Sequence, residues 1–196
     1  MPPISCASFG ALARRALLLK AADALEAKTP AFIEAVSAET GATGMWGGFN
    51  VMLAAGMIRE AAALTTQVAG EVIPSDVPGS LAMGIRQPAG VVLGIAPWNA
   101  PVILAVRAIC VPLACGNTVI LKGSENCPRT HQLIIEAFQD AGFPPGVVNY
   151  ITNAPADAGA VVEAMVAHPA VRRVNFTGST KVGKIIAATC AKYLKP

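Results

Sequence analysis

Apolar and polar residues follow two different periods along this chain. From residue 11 to residue 40, alanine and leucine recur among charged helix formers, a pattern that predicts helices. Thr29 and Pro30 interrupt the run, and we expect Thr29 to cap a second helix that Pro30 opens. Gly41 is expected to end that helix, and a third helix is predicted from about residue 49 to residue 68.

From Val91 onward, short apolar runs alternate with helical stretches. The apolar runs begin near residues 91, 118, 147 and 172. A spacing of roughly 25 to 30 residues is that of a strand–helix–strand unit. Continuous apolar strands that alternate with helices predict a parallel sheet covered on both faces. The predicted fold class is therefore α/β, a Rossmann-like parallel sheet with flanking helices, preceded by a helical segment.

The pattern divides the chain into three parts. Residues 1–70 form the helical segment, and residues 71–90 form an extended or hairpin segment interrupted by prolines and glycines. Residues 91–196 form the Rossmann-like part. Ligands of such sheets bind beyond the carboxyl ends of the strands, so the residues after each strand are where chemistry is expected.

Composition excludes several classes of protein. Of the 196 residues, 54% are hydrophobic and 14% are charged, a balance opposite to that of a disordered chain. The net charge of +3 predicts neither a nucleic-acid nor a membrane partner, and no apolar run is long enough to span a bilayer.

The spacing of cysteines and histidines indicates the redox compartment of a protein and whether it binds a metal. The five cysteines include no Cys-x-x-Cys pair, so we expect no disulfide framework, no metal site and a reducing, cytoplasmic compartment. His131 and His168 lie far apart and are interpreted as surface or helix-end residues.

Three loops after predicted strands carry polar side chains. In the first, residues 96–101, Asn99 either stabilises an oxyanion with its amide or caps the next helix. In the second, residues 122–125, the carboxylate either accepts the ribose hydroxyls of NAD and repels the 2′-phosphate of NADP, or forms a surface ion pair. In the third, residues 177–180, the hydroxyls and the glycine fit either a phosphate site or ordinary helix caps.

Together these loops resemble the aldehyde dehydrogenase superfamily, over the chain from about Leu12. The resemblance rests on four motifs in matching order: I-A-P-W-N-x-P from Ile95, G-N-T-V-I-L-K-x-S-E from Gly116, A-G-F-P-P-G-V-V-N from Ala141 and F-T-G-S-T-x-V-G from Phe176. Within the superfamily, Lys-Gly-Ser-Glu at residues 122–125, in place of the commoner Lys-Pro-Ser-Glu, is most similar to the salicylaldehyde and vanillin dehydrogenase group.

The resemblance implies NAD as the cofactor and oxidation of an aromatic, salicylaldehyde-like aldehyde to its acid through a thiohemiacetal. It implies that Asn99 is the oxyanion-hole amide, that Lys122 and Glu125 hold the adenosine ribose, and that Gly159 lies near the adenine. The residues expected to contact the rest of NAD are Ile95, Pro97 and Trp98 on the nicotinamide side and Phe176, Gly178, Ser179 and Val182 at the pyrophosphate. Residues 71–90 would form part of an oligomerisation element in a homodimer or homotetramer.

The chain departs from the family pattern in its catalytic residues. The family's general-base glutamate belongs to a Leu-Glu-Leu-Gly-Gly motif expected just after Pro196, and the nucleophilic cysteine lies further on, in a catalytic domain expected to be absent here. The 196 residues are therefore expected to give no turnover by themselves. Two alternatives are a non-catalytic dinucleotide-binding module and a relative that acylates coenzyme A.

Two further residues are candidates for substrate recognition. Arg107 lies two helical turns beyond Asn99, where it pairs either with a phenolic oxygen or carboxylate of the substrate or with an acid outside this chain. Trp46 either stacks on an aromatic ring or packs in the core.

Overall fold

The computed structural model describes residues 9–196, so Cys6 lies outside the described residues. Three helices come first and a short antiparallel hairpin follows, formed by β1 (Glu71–Ile73) and β2 (Ala82–Gly84). The helices are α1 (Ala11–Ala27), α2 (Thr29–Thr40) and α3 (Gly44–Leu64). The remaining elements are β3 (Val91–Ile95), α4 (Pro101–Ala114), β4 (Thr118–Lys122), α5 (Pro128–Asp140), β5 (Val148–Ile151), a 3-10 turn (Pro155–Asp157), α6 (Ala158–Ala167), β6 (Val171–Phe176) and α7 (Thr180–Lys192).

The helix ends differ in part from the sequence expectations. The prediction that Thr29 caps α2 is wrong, because Lys28 is the capping residue and the Thr29 hydroxyl donates to the carbonyl of Glu26 at 2.6 Å. Gly41 does end α2 in the left-handed conformation, with φ 71°. The third helix begins earlier than predicted, at Gly44, because the Thr43 hydroxyl accepts the Trp46 backbone N–H at 3.3 Å.

Four parallel strands form the main sheet in the order β5-β4-β3-β6. Counted from β3, the first strand along the chain, this order is that of the first four strands of a Rossmann sheet. The direction in which successive strands are added reverses at β3, since β4 and β5 lie on one side of it and β6 lies on the other. The prediction of an α/β fold with a parallel sheet is confirmed.

The two faces of the sheet are covered unequally. Val92, Val119 and Leu121 face the large core formed with α4, α5 and the three N-terminal helices. Leu93 and Ile95 point to the other face, where α6 and α7 contribute a much smaller buried cluster. Within residues 9–196, no helix is both long and apolar enough to cross a membrane.

Candidate cofactor and active site

Parallel strand ends bring three polar loops to one edge of the sheet. We refer to them as the β3 loop (residues 96–101), the β4 loop (residues 122–127) and the β6 loop (residues 176–180). The backbone N–H of Ala96 donates to the carbonyl of Lys122 at 3.3 Å, and that of Thr177 donates to the carbonyl of Ile95 at 3.1 Å. The three loops are therefore fixed next to one another, with the β3 loop in the middle.

The β3 loop exposes its amide side chain. Ile95 is buried and Pro97 is half-buried, whereas Trp98 and Asn99 are exposed. The residue that caps α4 is Ala100, so the interpretation of Asn99 as a helix cap is wrong. The Asn99 amide forms no hydrogen bond with another residue of the described range 9–196, and it remains able to donate to a ligand.

Trp46 lies beside the β3 loop. Its indole Nε1–H donates to the carbonyl of Asn99 at 3.2 Å, and its ring stacks on Phe49 with 5.5 Å between centroids. The side chain is 39% exposed, so packing in the core is not its role. Asn50, which is fully buried, donates to the carbonyl of Trp46 at 3.0 Å and thereby fixes this turn of α3. Sequence reasoning missed Asn50, whose only signal was a polar residue on an apolar helix face.

The β4 loop holds a partly buried ion pair. Lys122 Nζ lies 3.1 Å from Glu125 Oε2, and the two side chains are 7% and 30% exposed. Burial acts to raise the pKa of Glu125, but hydrogen bonds from its own backbone N–H and from the Lys122 ammonium outweigh that effect and lower the pKa. Glu125 is therefore an ionised acceptor with part of its carboxylate open to solvent. The ion pair considered from the sequence is therefore present, with a buried ammonium and a carboxylate that reaches the surface.

His131 lies beneath the β4 loop, and the expectation that it is a surface or helix-end residue is wrong. Its side chain is fully buried, because it falls on the apolar stripe of α5 formed with Cys127, Ile134 and Phe138. Its Nδ1 accepts the Ser124 backbone N–H at 3.1 Å, and its Nε2 lies 3.2 Å from the carbonyl of Pro101. His168, in contrast, is exposed at the C-terminal end of α6, as expected.

Gly123 has no room for a side chain. A Cβ at this position would lie 2.7 Å from Tyr150 Cε2 and 2.9 Å from His131 Nδ1. Tyr150 is itself held in place, since its hydroxyl donates to the carbonyl of Pro128 at 2.8 Å. The Lys-Gly-Ser-Glu sequence thus has a steric cause, because any side chain or proline ring at residue 123 would overlap two fixed neighbours.

The β6 loop ends at an exposed helix N-terminus. Ser179 caps α7 by accepting the Val182 backbone N–H at 3.3 Å. The ring of Phe176 packs over the loop so closely that a Cβ at Gly178 would lie 2.5 Å from its Cζ. Gly178, Ser179 and Val182 are exposed. A glycine and a capped N-terminus of a 13-residue helix fit an anionic group, because backbone N–H groups and the helix dipole both favour negative charge.

Arg107 is connected to the β6 loop. Its Nη2 donates to the Thr177 hydroxyl at 3.1 Å, and it forms no ion pair with another residue that the structure describes. It borders an open groove of ≈ 810 Å³ between α4 and β6, which Arg86 and Arg173 also line. Its guanidinium is therefore accessible from solvent, although its first partner within the chain is a neutral hydroxyl.

Gly159 lies apart from these three loops, near the start of α6 and beyond the end of β5. It is exposed, and a Cβ at this position would meet nothing within 4 Å. Its surroundings are open enough for a flat ring.

Three of the four cysteines of the described range do not resemble an activated nucleophile. Burial raises the pKa of Cys110 to about 11, and burial together with the Glu39 charge raises that of Cys127 to about 12. Burial also raises the pKa of Cys190. These three thiols stay protonated at neutral pH. Residues 9–196 contain no group of three or more His, Cys, Asp or Glu side chains placed to hold a metal ion.

The sheet order and the three loops define an α/β protein of the nucleotide-binding type. The polar groups of these loops fit a dinucleotide, since an ionised carboxylate lies at one end of this edge of the sheet and a helix N-terminus lies at the other.

The chain matches the aldehyde dehydrogenase family over residues 5–196, and it belongs to that family. It is 67% identical over 183 residues to the vanillin dehydrogenase of Pseudomonas sp. strain HR199, covering 93% of this chain and 38% of that relative. The resemblance inferred from the motifs is thus confirmed. The chain spans only about two fifths of the length of the curated relatives it matches.

Two solved structures share the fold. A salicylaldehyde dehydrogenase from Pseudomonas putida G7, complexed with salicylaldehyde, is 50% identical and superposes with a TM-score of 0.94 over 97% of this chain and 39% of that one. An NAD-dependent benzaldehyde dehydrogenase from Corynebacterium glutamicum is 31% identical, with a TM-score of 0.89 over 94% and 39% of the two chains.

Proposed function

We propose that this chain is the cofactor-binding and oxyanion-stabilising part of an NAD-dependent dehydrogenase that oxidises aromatic aldehydes. The observation that carries the proposal is the juxtaposition of the β3, β4 and β6 loops, with a free Asn99 amide between an ionised Glu125 and the N-terminus of α7. The names of the vanillin and salicylaldehyde dehydrogenases among the relatives support the aromatic class of substrate.

Each loop has a distinct task in this proposal. Glu125, oriented by the Lys122 ammonium, accepts the two hydroxyls of the adenosine ribose, and Gly159 leaves space for the adenine. The first turn of α7, with Gly178 and Ser179, receives the pyrophosphate. Ile95, Pro97, Trp98, Phe176 and Val182 line the remainder of the cofactor cleft. NAD, when bound, supplies the hydride acceptor.

The Asn99 amide acts on the substrate. Its N–H donates to the aldehyde oxygen as negative charge develops there, which stabilises the transition state more than the ground state. The two prolines of the β3 loop and the bond from Trp46 to the Asn99 carbonyl restrain the backbone that carries this amide.

The activity is tested in the full-length protein that contains this chain. We expect NAD-dependent oxidation of vanillin and salicylaldehyde in preference to an aliphatic aldehyde, followed by NADH fluorescence. Asn99→Ala should lower kcat by about a hundredfold with little change in the Kd of NAD. The 196 residues alone should form no NADH, because they include neither the family's Leu-Glu-Leu-Gly-Gly motif nor a cysteine in the sequence context of its nucleophile.

An NAD-binding protein that oxidises none of these aldehydes would instead be the non-catalytic module. Acyl-coenzyme A formation would indicate the coenzyme A-acylating relative. An unchanged kcat in Asn99→Ala would remove the oxyanion role.

Arg107 and Trp46 are proposed to recognise the aromatic substrate. The Arg107 guanidinium is accessible and has no carboxylate partner in the described range, which suits a phenolic oxygen, while the half-exposed Trp46 ring beside Asn99 offers a stacking surface. In the full-length protein, Arg107→Ala should raise KM about tenfold for hydroxylated benzaldehydes and much less for benzaldehyde. Arg173→Ala, in the same groove, is the matched control. Equal effects on both substrates would contradict the phenol contact.

The exposed hairpin is proposed as part of a homo-oligomer contact of a cytoplasmic enzyme. Val72, Leu81 and Met83 are 72%, 70% and 55% exposed, more apolar surface than a two-stranded hairpin needs for its own stability. Light scattering of the full-length protein and of Met83→Asp tests this role, which a purely monomeric protein would exclude.

A further inference from the structure

The fully buried His131 contacts two of the three loops at once. Its Nδ1 accepts the backbone N–H of Ser124 in the β4 loop at 3.1 Å. Its Nε2 reaches the carbonyl of Pro101 at the end of the β3 loop at 3.2 Å. Ser124 adjoins Glu125, and Pro101 lies two residues from Asn99. One imidazole ring therefore bridges the backbone that carries the ribose acceptor and the backbone that carries the oxyanion donor.

The two bonds require one form of the ring. Because Ser124 donates to Nδ1, that nitrogen carries no proton, and Nε2 carries the proton that it donates to the Pro101 carbonyl. Burial lowers the pKa of His131 to about 4, which keeps the ring in this neutral form at physiological pH. Ser124 and Pro101 are both buried, and loss of the ring would leave the Ser124 N–H without its partner.

The neighbours of His131 are shaped to admit the ring. Gly123 lacks the Cβ that would approach Nδ1 to 2.9 Å, and Cys127 Sγ lies 3.7 Å from Nε2. The ring takes its position from α5, whose apolar stripe packs into the main core. A side chain that is anchored in the core and bonded to two loops fixes the distance between those loops.

We propose that His131 is a positioning residue that fixes the β4 and β3 loops relative to each other, and with them the position of NAD relative to the aldehyde oxygen. The proposal rests on the proposed function and deepens it. His131 itself touches neither cofactor nor substrate in this account, since its two nitrogens are occupied by Ser124 and Pro101.

Two conservative substitutions separate the two bonds. In His131→Asn, the amide oxygen lies at the level of Nδ1 and still accepts from Ser124, but the side chain is too short to reach Pro101. In His131→Gln, the amide lies at the level of Nε2 and still donates to Pro101, but the acceptor for Ser124 is lost. Phe138→Leu is the matched control, because Phe138 is buried two turns further along the same stripe and packs on Phe143 instead of on either loop.

The full-length protein is the material for the test. We expect His131→Asn to lower kcat about tenfold with an unchanged Kd for NAD, and His131→Gln to raise the Kd for NAD about tenfold with a smaller change in kcat. Amide hydrogen exchange should accelerate at residues 98–100 in His131→Asn and at Ser124 in His131→Gln. In Phe138→Leu both loops should keep their protection, whatever the loss in melting temperature.

The proposal would be overturned if both histidine variants lost kcat and NAD affinity together, in proportion to the fall in melting temperature, and if Phe138→Leu did the same. His131 would then be a core residue only. If the wild-type protein oxidises no aldehyde, the proposed function fails, but NAD binding and hydrogen exchange still decide the role of His131. If the exchange pattern of the two loops does not separate between the variants, the positioning role fails even in an active enzyme.

Discussion

The β4 and β6 loops lie on opposite sides of β3, and they are built in opposite ways. On the β4 side, Lys122, Ser124 and His131 are buried. Lys122 donates to the Glu125 carboxylate and the Ser124 N–H donates to His131, so the carboxylate is oriented before a ligand binds. The β6 side consists of an exposed glycine and an exposed helix N-terminus, and its buried partners are few. One end of the candidate cofactor site is therefore preorganised by the core, while the other is a surface.

The sheet explains the difference. The face that supports the β4 loop is packed by α4 and α5 and by a further layer of three helices. The face behind the β6 loop is covered by α6 and α7, which bury only Val166, Ile186 and Cys190. How firmly a loop is held therefore depends on how much buried structure supports it. A loop whose side chains reach the core is fixed, whereas a loop over a thin layer keeps its conformation mainly through its own backbone hydrogen bonds.

The largest expected effect is a loss of unfolding free energy at acidic pH, which comes from His131 on the β4 side. The pKa of His131 falls by burial from an ordinary 6.5 to about 4, so between these values the unfolded chain binds a proton that the folded chain excludes. Stability is then fully present above pH 6.5 and is lost as pH falls toward 4, by about 1.4 kcal/mol per pH unit and about 3 kcal/mol in all.

Urea unfolding of the wild type between pH 7.5 and 4.5 should show this slope, and His131→Gln should flatten it. Carboxylates such as Glu125, whose pKa is lowered from 4.5, lose their contribution only at lower pH and so do not account for it. An identical slope in wild type and variant would mean that His131 is not the group that titrates.

Glycine substitutions compare the two ends directly. At Gly123 an added Cβ meets Tyr150 and His131, both held by hydrogen bonds, so Gly123→Ala should cost about 2 kcal/mol of unfolding free energy. At Gly178 the added Cβ meets only the far end of the Phe176 ring, which is half-exposed and can turn aside. Thermal unfolding of Gly178→Ala should show a loss of less than half that of Gly123→Ala. A larger loss at Gly178 would invert the comparison.

Much of the framework was available from the sequence. The apolar runs place all four strands of the main sheet within one residue of their observed starts, because strands buried on both faces leave a continuous signal. The start of α3 was missed, since Thr43 caps it ahead of three glycines, which are weak helix formers. His131 was missed because histidine has no strong preference for the core, although its spacing from Cys127 and Ile134 places it on the buried stripe of α5.

The site itself was predictable only in part. Strand ends identify the loops, but the bonds between them join residues far apart in sequence, such as Trp46 to Asn99 and Arg107 to Thr177. Such pairs depend on how helices pack across the sheet, which no local pattern reports. The same packing explains Gly47, since an added Cβ there would lie 3.1 Å from the Cα of Ile33.

The smallest effect tests whether the β6 end holds its shape by itself. Ser179 is exposed, and its only described side-chain hydrogen bond is to the Val182 backbone N–H, so Ser179→Ala should cost about 1 kcal/mol of unfolding free energy. If the first turn of α7 binds the pyrophosphate, the substitution should also weaken NAD several-fold, and saturating NAD should restore part of the lost stability by mass action. Ser124→Ala, at a buried position of the β4 loop, keeps its backbone bond to His131 and should leave NAD affinity nearly unchanged. If Ser124→Ala weakened NAD binding more than Ser179→Ala did, the hydroxyl of the β4 loop, and not that of the β6 loop, would be the one on which NAD binding depends.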